Sequence, residues 1–115
     1  MKIRRGDIVL LPFPFTDLKG VKLRPALVVS DDRFNKTGES VFVFITTKFY
    51  NTAFDFRING GAAGFKSTGL KESSTFRVSK IVCLEQRLIR RRLGIAGKSI
   101  LNKVNNRLNS LFCLS

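Results

Sequence analysis

Residues 74–86 read STFRVSKIVCLEQ, and the pattern of the stretch changes half-way along. Phe76 and Val78 point to one face of an extended chain, Arg77 and Ser79 to the other. Beyond Lys80 the parity inverts, because Ile81 and Cys83 fall on the side that had been polar. A single strand keeps its apolar side chains together only if it gains a residue near Ser79–Lys80. A bulge there restores the pattern and re-aims the side chains around it. The stretch predicts one long, bent strand.

Other segments fit around it. GDIVLLPF (6–13) is a short apolar run closed by Pro12 and Pro14, as a buried strand requires. TDLKGVK (16–22) is a polar turn containing Gly20. LRPALVVS (23–30) is a second strand; Pro25 lacks an N–H and belongs at its first turn or edge. DDRFNKTGES (31–40) reads as a loop and VFVFITTK (41–48) as a β-branched, aromatic strand. AFDFRING (53–60) alternates, with Phe54, Phe56 and Ile58 on one side and Asp55 and Arg57 on the other. LIRRRLG (88–94) fits either a strand or a helical turn. From Gly97 onward, Ile100, Leu101, Val104, Leu108, Leu111 and Phe112 recur at helical spacing, with Gly97 or Ser99 as the cap. The expectation is one domain over residues 1–115, mainly β with α: a small curved antiparallel sheet or barrel with a C-terminal helix packed on it.

GGAAGFKSTG (60–69) has the look of a phosphate-binding loop. Phe65 stands where that motif needs a glycine before Lys66-Ser67, and strand-like sequence follows where a helix should. A mobile surface loop is the better reading.

Composition narrows the chemistry. Lys and Arg number 21 against 8 Asp and Glu, a formal charge of +13 that attracts polyanions: nucleic acid, an anionic membrane or an acidic protein. No segment is apolar for long enough to span a bilayer, and the N-terminus does not read as a signal peptide. The chain has no His, which removes every His-based dyad and triad; with only Cys83 and Cys113, a zinc site is not expected. Both cysteines have apolar neighbours and read as buried free thiols in a reducing cytoplasm. Catalysis, if present, rests on Arg, Lys, carboxylates or hydroxyls.

In KLRPALVVSDD (22–32) an arginine sits at the mouth of a core strand. A guanidinium there is costly unless paired. Arg24 either pairs with Asp7 or Asp31 at the sheet edge, or it has work to do. The segment RRGDIVLLPFPFTDLKGVKLRPALVVS resembles the opening of the MazF/PemK family of toxin endoribonucleases, the mRNA interferases of toxin–antitoxin pairs. The resemblance continues through VFVFITTK, GLKESSTFRVSKIVCLEQRLIRRRLG and the terminal helix, and so covers nearly the whole chain.

The resemblance implies an SH3-like, CcdB/MazF-like fold and a metal-independent, cofactor-free endoribonuclease. Such an enzyme cuts single-stranded RNA by attack of a ribose 2′-hydroxyl on the adjacent phosphate. It implies Arg24 and Thr46 as the catalytic centre. Guanidinium geometry suits the charged oxygens of a phosphorane-like transition state. Arg77 falls on a further arginine of the PemK-like branch, while Ser79 occupies a position that holds Asp there. Candidate RNA contacts are Phe13, Lys19, Lys22, Lys48, Arg77, Ser79 and Lys80, with Phe15 a second stacking candidate. The implied partners are single-stranded RNA, an acidic antitoxin and a second copy of the chain in a homodimer, with no membrane. Two other classes fit the basic composition: a non-catalytic nucleic-acid-binding module of the same fold, and a CcdB-like toxin that binds a topoisomerase. An arginine at a strand mouth favours the enzyme over both, since binding alone does not require it.

Overall fold

The computed structural model describes residues 1–12 and 22–114, so Phe13, Phe15, Lys19 and most of the expected 16–22 turn lie outside the described residues. Six strands form one sheet: β1 (Asp7–Pro12), β2 (Leu23–Val28), β3 (Glu39–Thr46), β4 (Phe56–Ile58), β5 (Ser74–Glu85) and β6 (Arg91–Ile95). Their spatial order is β4-β5-β3-β2-β1-β6, with every pairing antiparallel. Two helices are α1 (Asp32–Asn35), a single turn, and α2 (Lys98–Phe112). The sheet curls into a half-barrel with α2 packed on it.

The bend read from residues 74–86 is present in β5. Arg77 pairs with Phe44 and Ile81 with the adjacent Val43, so the β3–β5 register skips Val78, Ser79 and Lys80. After the bulge, Ile81 packs with Phe76 and Val78, while Val82 and Leu84 turn to the other face beside Phe42. The inversion of parity in the sequence is therefore cancelled by the backbone.

Each face of the sheet carries its own core. On one, Ile8, Leu27, Val43, Ile45, Phe76 and Val78 are covered by Ile100 and Val104 of α2. Val104 is fully buried, and burying such a side chain contributes roughly 1.5–3 kcal/mol. On the other, Val9, Leu11, Ala26, Val28 and Phe42 are roofed by Ile3. Helix α2 begins after Gly97, one of the two expected caps, without a side-chain bond. Among the described residues no helix is long and apolar enough to cross a membrane.

Several expectations need correction. The 31–40 segment holds α1, because Asp31 caps it by accepting the Arg33 amide at 2.8 Å. Of the two options for 88–94, the strand is realised from Arg91, after a 3-10 turn at Gln86–Leu88. The 53–60 alternation holds only over Phe56–Ile58; Phe54 is exposed, and Asp55 is buried because it turns into a polar cluster described below. The 60–69 loop is superficial, but Phe65 and Thr68 are buried and anchor it. Cys83 and Cys113 are both exposed, not buried. Cys83 lies far along β5 and Cys113 caps the end of α2, so apolar neighbours in sequence do not enclose either thiol.

Candidate active site

Ala26 and Phe44 are the last paired residues between β2 and β3. Beyond them β2 stays with β1 through Arg24–Leu11, and β3 stays with β5 through Thr46–Thr75. The two central strands therefore part. Pro25 sits at the parting, where its missing N–H leaves no gap in the β2–β3 ladder. Arg24 and Thr46 face the opening and line a cleft of about 560 Å³ together with Lys22, Lys71, Glu72 and Arg91. Four basic side chains to one acidic make this an anion-attracting concavity.

Arg24 is half-buried, and neither suggested carboxylate pairs with it. Asp7 accepts from Arg92 Nη2 at 3.0 Å and from the Arg4 amide at 2.8 Å. Asp31 pairs with Arg33 at 3.0 Å. The Arg24 guanidinium instead rests over the Phe44 ring, 5.6 Å from its centroid. That contact orients it without neutralising it. The Thr46 hydroxyl is 3.2 Å from the Lys48 amide, which donates to it, and its own proton has no acceptor among the described residues.

Thr46 continues a polar row across the sheet. It is opposite Thr75 on β5, and Thr75 is opposite Arg57 on β4. Arg57 donates to the Thr75 hydroxyl at 3.0 Å and to the Thr47 carbonyl at 3.1 Å, which ties down the turn after Thr46. One step along the same face, the Asp55 carboxylate accepts from Arg77 Nε at 3.0 Å, Thr52 Oγ1 at 2.8 Å and the Ser79 amide at 3.2 Å. The Ser79 hydroxyl lies 3.1 Å from the same group, and the Tyr50 ring centroid is 3.7 Å from the Arg77 guanidinium carbon. Burial pushes the Asp55 carboxyl up, but hydrogen bonds from Thr52 and Ser79 and the Arg77 charge together hold it below its usual value.

The structure thus places Arg24, Thr46 and Lys22 in one cleft, whereas Lys48 meets Thr46 only through its backbone amide and is not among the described lining residues. Arg77 and Ser79 share the face of Thr46 but are engaged with Asp55, and Lys80 is exposed at the bulge. Phe13 and Lys19 lie outside the described residues. Sequence reasoning missed Asp55, Arg57 and Glu72 as site residues. The sequence puts Asp55 and Arg57 on the polar side of their strand, but their partners are set by register. The basic run at 90–92 is divided: Arg92 serves Asp7, and Arg91 lines the cleft. Among the described residues no group of three or more Cys, Asp or Glu side chains is placed to hold a metal ion.

No curated protein matches the chain in sequence. Solved structures do match in fold. The MazE–MazF complex of Deinococcus radiodurans superposes with a TM-score of 0.77 at 25% identity, covering 100% of both chains. A mycobacterial endoribonuclease in complex with its cognate antitoxin gives 0.76 at 20% identity over 98% of this chain and 97% of that one. The Mycobacterium tuberculosis toxin MazF-mt6 gives 0.75 at 15% identity over 95% and 98%. The family profile for PemK-like, MazF-like toxins of type II toxin–antitoxin systems matches residues 4–112. With that profile spanning almost the entire chain, and the same curled sheet and helix in its structural neighbours, the protein belongs to the PemK-like, MazF-like toxin family.

Proposed function

We propose that the protein is a sequence-specific endoribonuclease toxin that cleaves single-stranded RNA without a metal ion. The observation that carries the reading is the meeting of Arg24 and Thr46 in a basic cleft where β2 and β3 part. A ribose 2′-oxygen attacks the adjacent phosphorus, the bond to the 5′-oxygen breaks, and the products are a 2′,3′-cyclic phosphate and a 5′-hydroxyl. Arg24 stays charged throughout and stabilises the extra negative charge on the nonbridging oxygens. Thr46 donates a second hydrogen bond to the same phosphate. Glu72, the one carboxylate among the described lining residues, takes the 2′-hydroxyl proton, and water protonates the leaving oxygen.

Membership of a toxin–antitoxin family supports a cognate antitoxin as the regulator. The charge of +13 suits both RNA and an acidic antitoxin segment laid over the cleft. A homodimer is supported by the second face of the sheet, where Phe44, Val82, Leu84 and Ile89 are only partly buried. With RNA as its substrate, the toxin acts in the cytoplasm.

The test is cleavage of a long single-stranded RNA with EDTA present. Discrete fragments with cyclic-phosphate ends, lost in Arg24→Ala and Thr46→Ala, are expected. RNA binding without cleavage by the wild type would replace the enzyme with a binding module.

A further inference from the structure

We infer that Asp55 is a positioning residue of the ribonuclease site, holding the Arg77 guanidinium so that its free edge binds an RNA phosphate beside the scissile one. The inference rests on the ribonuclease reading above and concerns a residue outside the cleft. The Asp55 side chain has no exposed surface and Arg77 retains 13%. A carboxylate in that position is tolerated only if its lone pairs are occupied.

They are occupied from three places in the chain. Thr52 donates from the loop before β4, Arg77 from β5, and Ser79 donates both its amide and its hydroxyl from the bulge. With both oxygens committed, Asp55 is not placed to accept a proton from substrate. What it does is fix Arg77. Only Nε of Arg77 is engaged among the described residues, and the Tyr50 ring covers one face of the guanidinium. The two Nη groups are left on the remaining edge, the edge with which arginine grips a phosphate in two-pronged fashion.

Placement ties this edge to the chemistry. Arg77 is opposite Phe44, two residue pairs along from Thr75–Thr46 and therefore on the same face. Diagonal neighbours of this kind lie about 7–8 Å apart, a distance that one arginine side chain and one phosphate span together. The Phe44 ring also carries the Arg24 guanidinium, so the two arginines flank one aromatic residue from neighbouring strands. The bulge at Val78–Lys80 has a purpose in this scheme, since it turns Ser79 toward Asp55.

The experiment is single-turnover cleavage of a defined single-stranded RNA by the full chain, with binding of its non-cleavable 2′-deoxy analogue measured alongside. The variants are Asp55→Asn, Arg77→Ala, the double Asp55→Asn/Arg77→Ala, and the exchange Asp55→Ser/Ser79→Asp. Rates are scaled to the folded fraction. Asp55→Asn is expected to lose about 10²-fold in rate, the scale of a misplaced binding group. The double variant should be no slower than Arg77→Ala, because the two residues act as one unit. The exchange, which returns one carboxylate and one hydroxyl to the same cluster, should recover most of the loss. A purely structural Asp55 would lower the melting temperature and leave the rate of folded protein unchanged, which overturns the inference while wild-type cleavage keeps the ribonuclease reading. Absence of wild-type cleavage overturns both.

Discussion

The Arg57 guanidinium donates to the Thr75 hydroxyl across the β4–β5 ladder at 3.0 Å, and the same nitrogen reaches the Thr47 carbonyl at 3.1 Å. A single edge-strand arginine thereby stiffens the turn that follows Thr46. Arg57→Ala removes these bonds but leaves the freed carbonyls beside solvent, so a loss of about 1–2 kcal/mol is expected. Urea unfolding read at the transition midpoint will measure it; an unchanged midpoint would show that Arg57 does not brace the turn.

Arg24 owes its position to the parting of β2 from β3 and its orientation to Phe44. In the proposed reaction, Arg24 acts through its planar fork and not through charge alone. Arg24→Lys keeps the charge and is still expected to fall short of wild type by at least about tenfold in cleavage rate, with Arg24→Ala lower by about 10²–10³. Equal rates for Lys and Arg at this position would reduce its role to long-range attraction.

Asp55 also predicts a pH dependence. Its folded pKa lies below the ordinary value of 3.8, so the unfolded chain binds a proton first. The stabilisation is complete above the unfolded value and is lost as pH falls through the lower folded one. Asp55→Asn should therefore flatten the acid limb of the stability curve below about pH 4, as followed by circular dichroism. At pH 7 the same substitution should cost on the order of 3 kcal/mol, because Arg77 is left without its charge partner.

Gly69 lines the cleft with φ +73°, and a Cβ there would meet the Leu93 carbonyl oxygen at 1.9 Å. Neither the backbone angle nor the β6 backbone can give cheaply. Gly69→Ala is expected to destabilise by about 2–3 kcal/mol, visible as a lowered melting temperature. Gly61→Ala, where a Cβ meets nothing within 4 Å, is the matched control.

Both thiols should react with a disulfide reagent in the folded protein, since Cys83 and Cys113 are exposed. Partial desolvation by its neighbours on β5 and β3, followed by the Glu39 charge, raises the Cys83 pKa above its ordinary 9.0. Its labelling should therefore be slow at neutral pH and accelerate above about pH 9. A thiol silent until denaturant is added would contradict its placement.

Much of this molecule is written in local pattern. Period-two runs announced most of the strands, the lost parity at Ser79–Lys80 announced the bulge, and helical spacing from Ile100 to Leu108 announced α2. These are properties of neighbours in the chain, and burial of one face is enough to enforce them. Arg24-Pro25 was conspicuous for the same local reason, a charge beside a proline at a strand mouth.

Register, pairing and the identity of partners are different in kind. Whether Arg24 answers Asp7, Asp31 or a substrate depends on which residues arrive from strands tens of positions away, and the sheet gave Asp7 to Arg92 and Asp31 to Arg33. The burial of Asp55, the bracing by Arg57 and the exposure of Cys83 were hidden likewise, because no residue within a few positions signals them. Periodicity says which face a side chain points to. Only the assembled sheet, by setting the strand order and the point where β2 leaves β3, decides what that face meets.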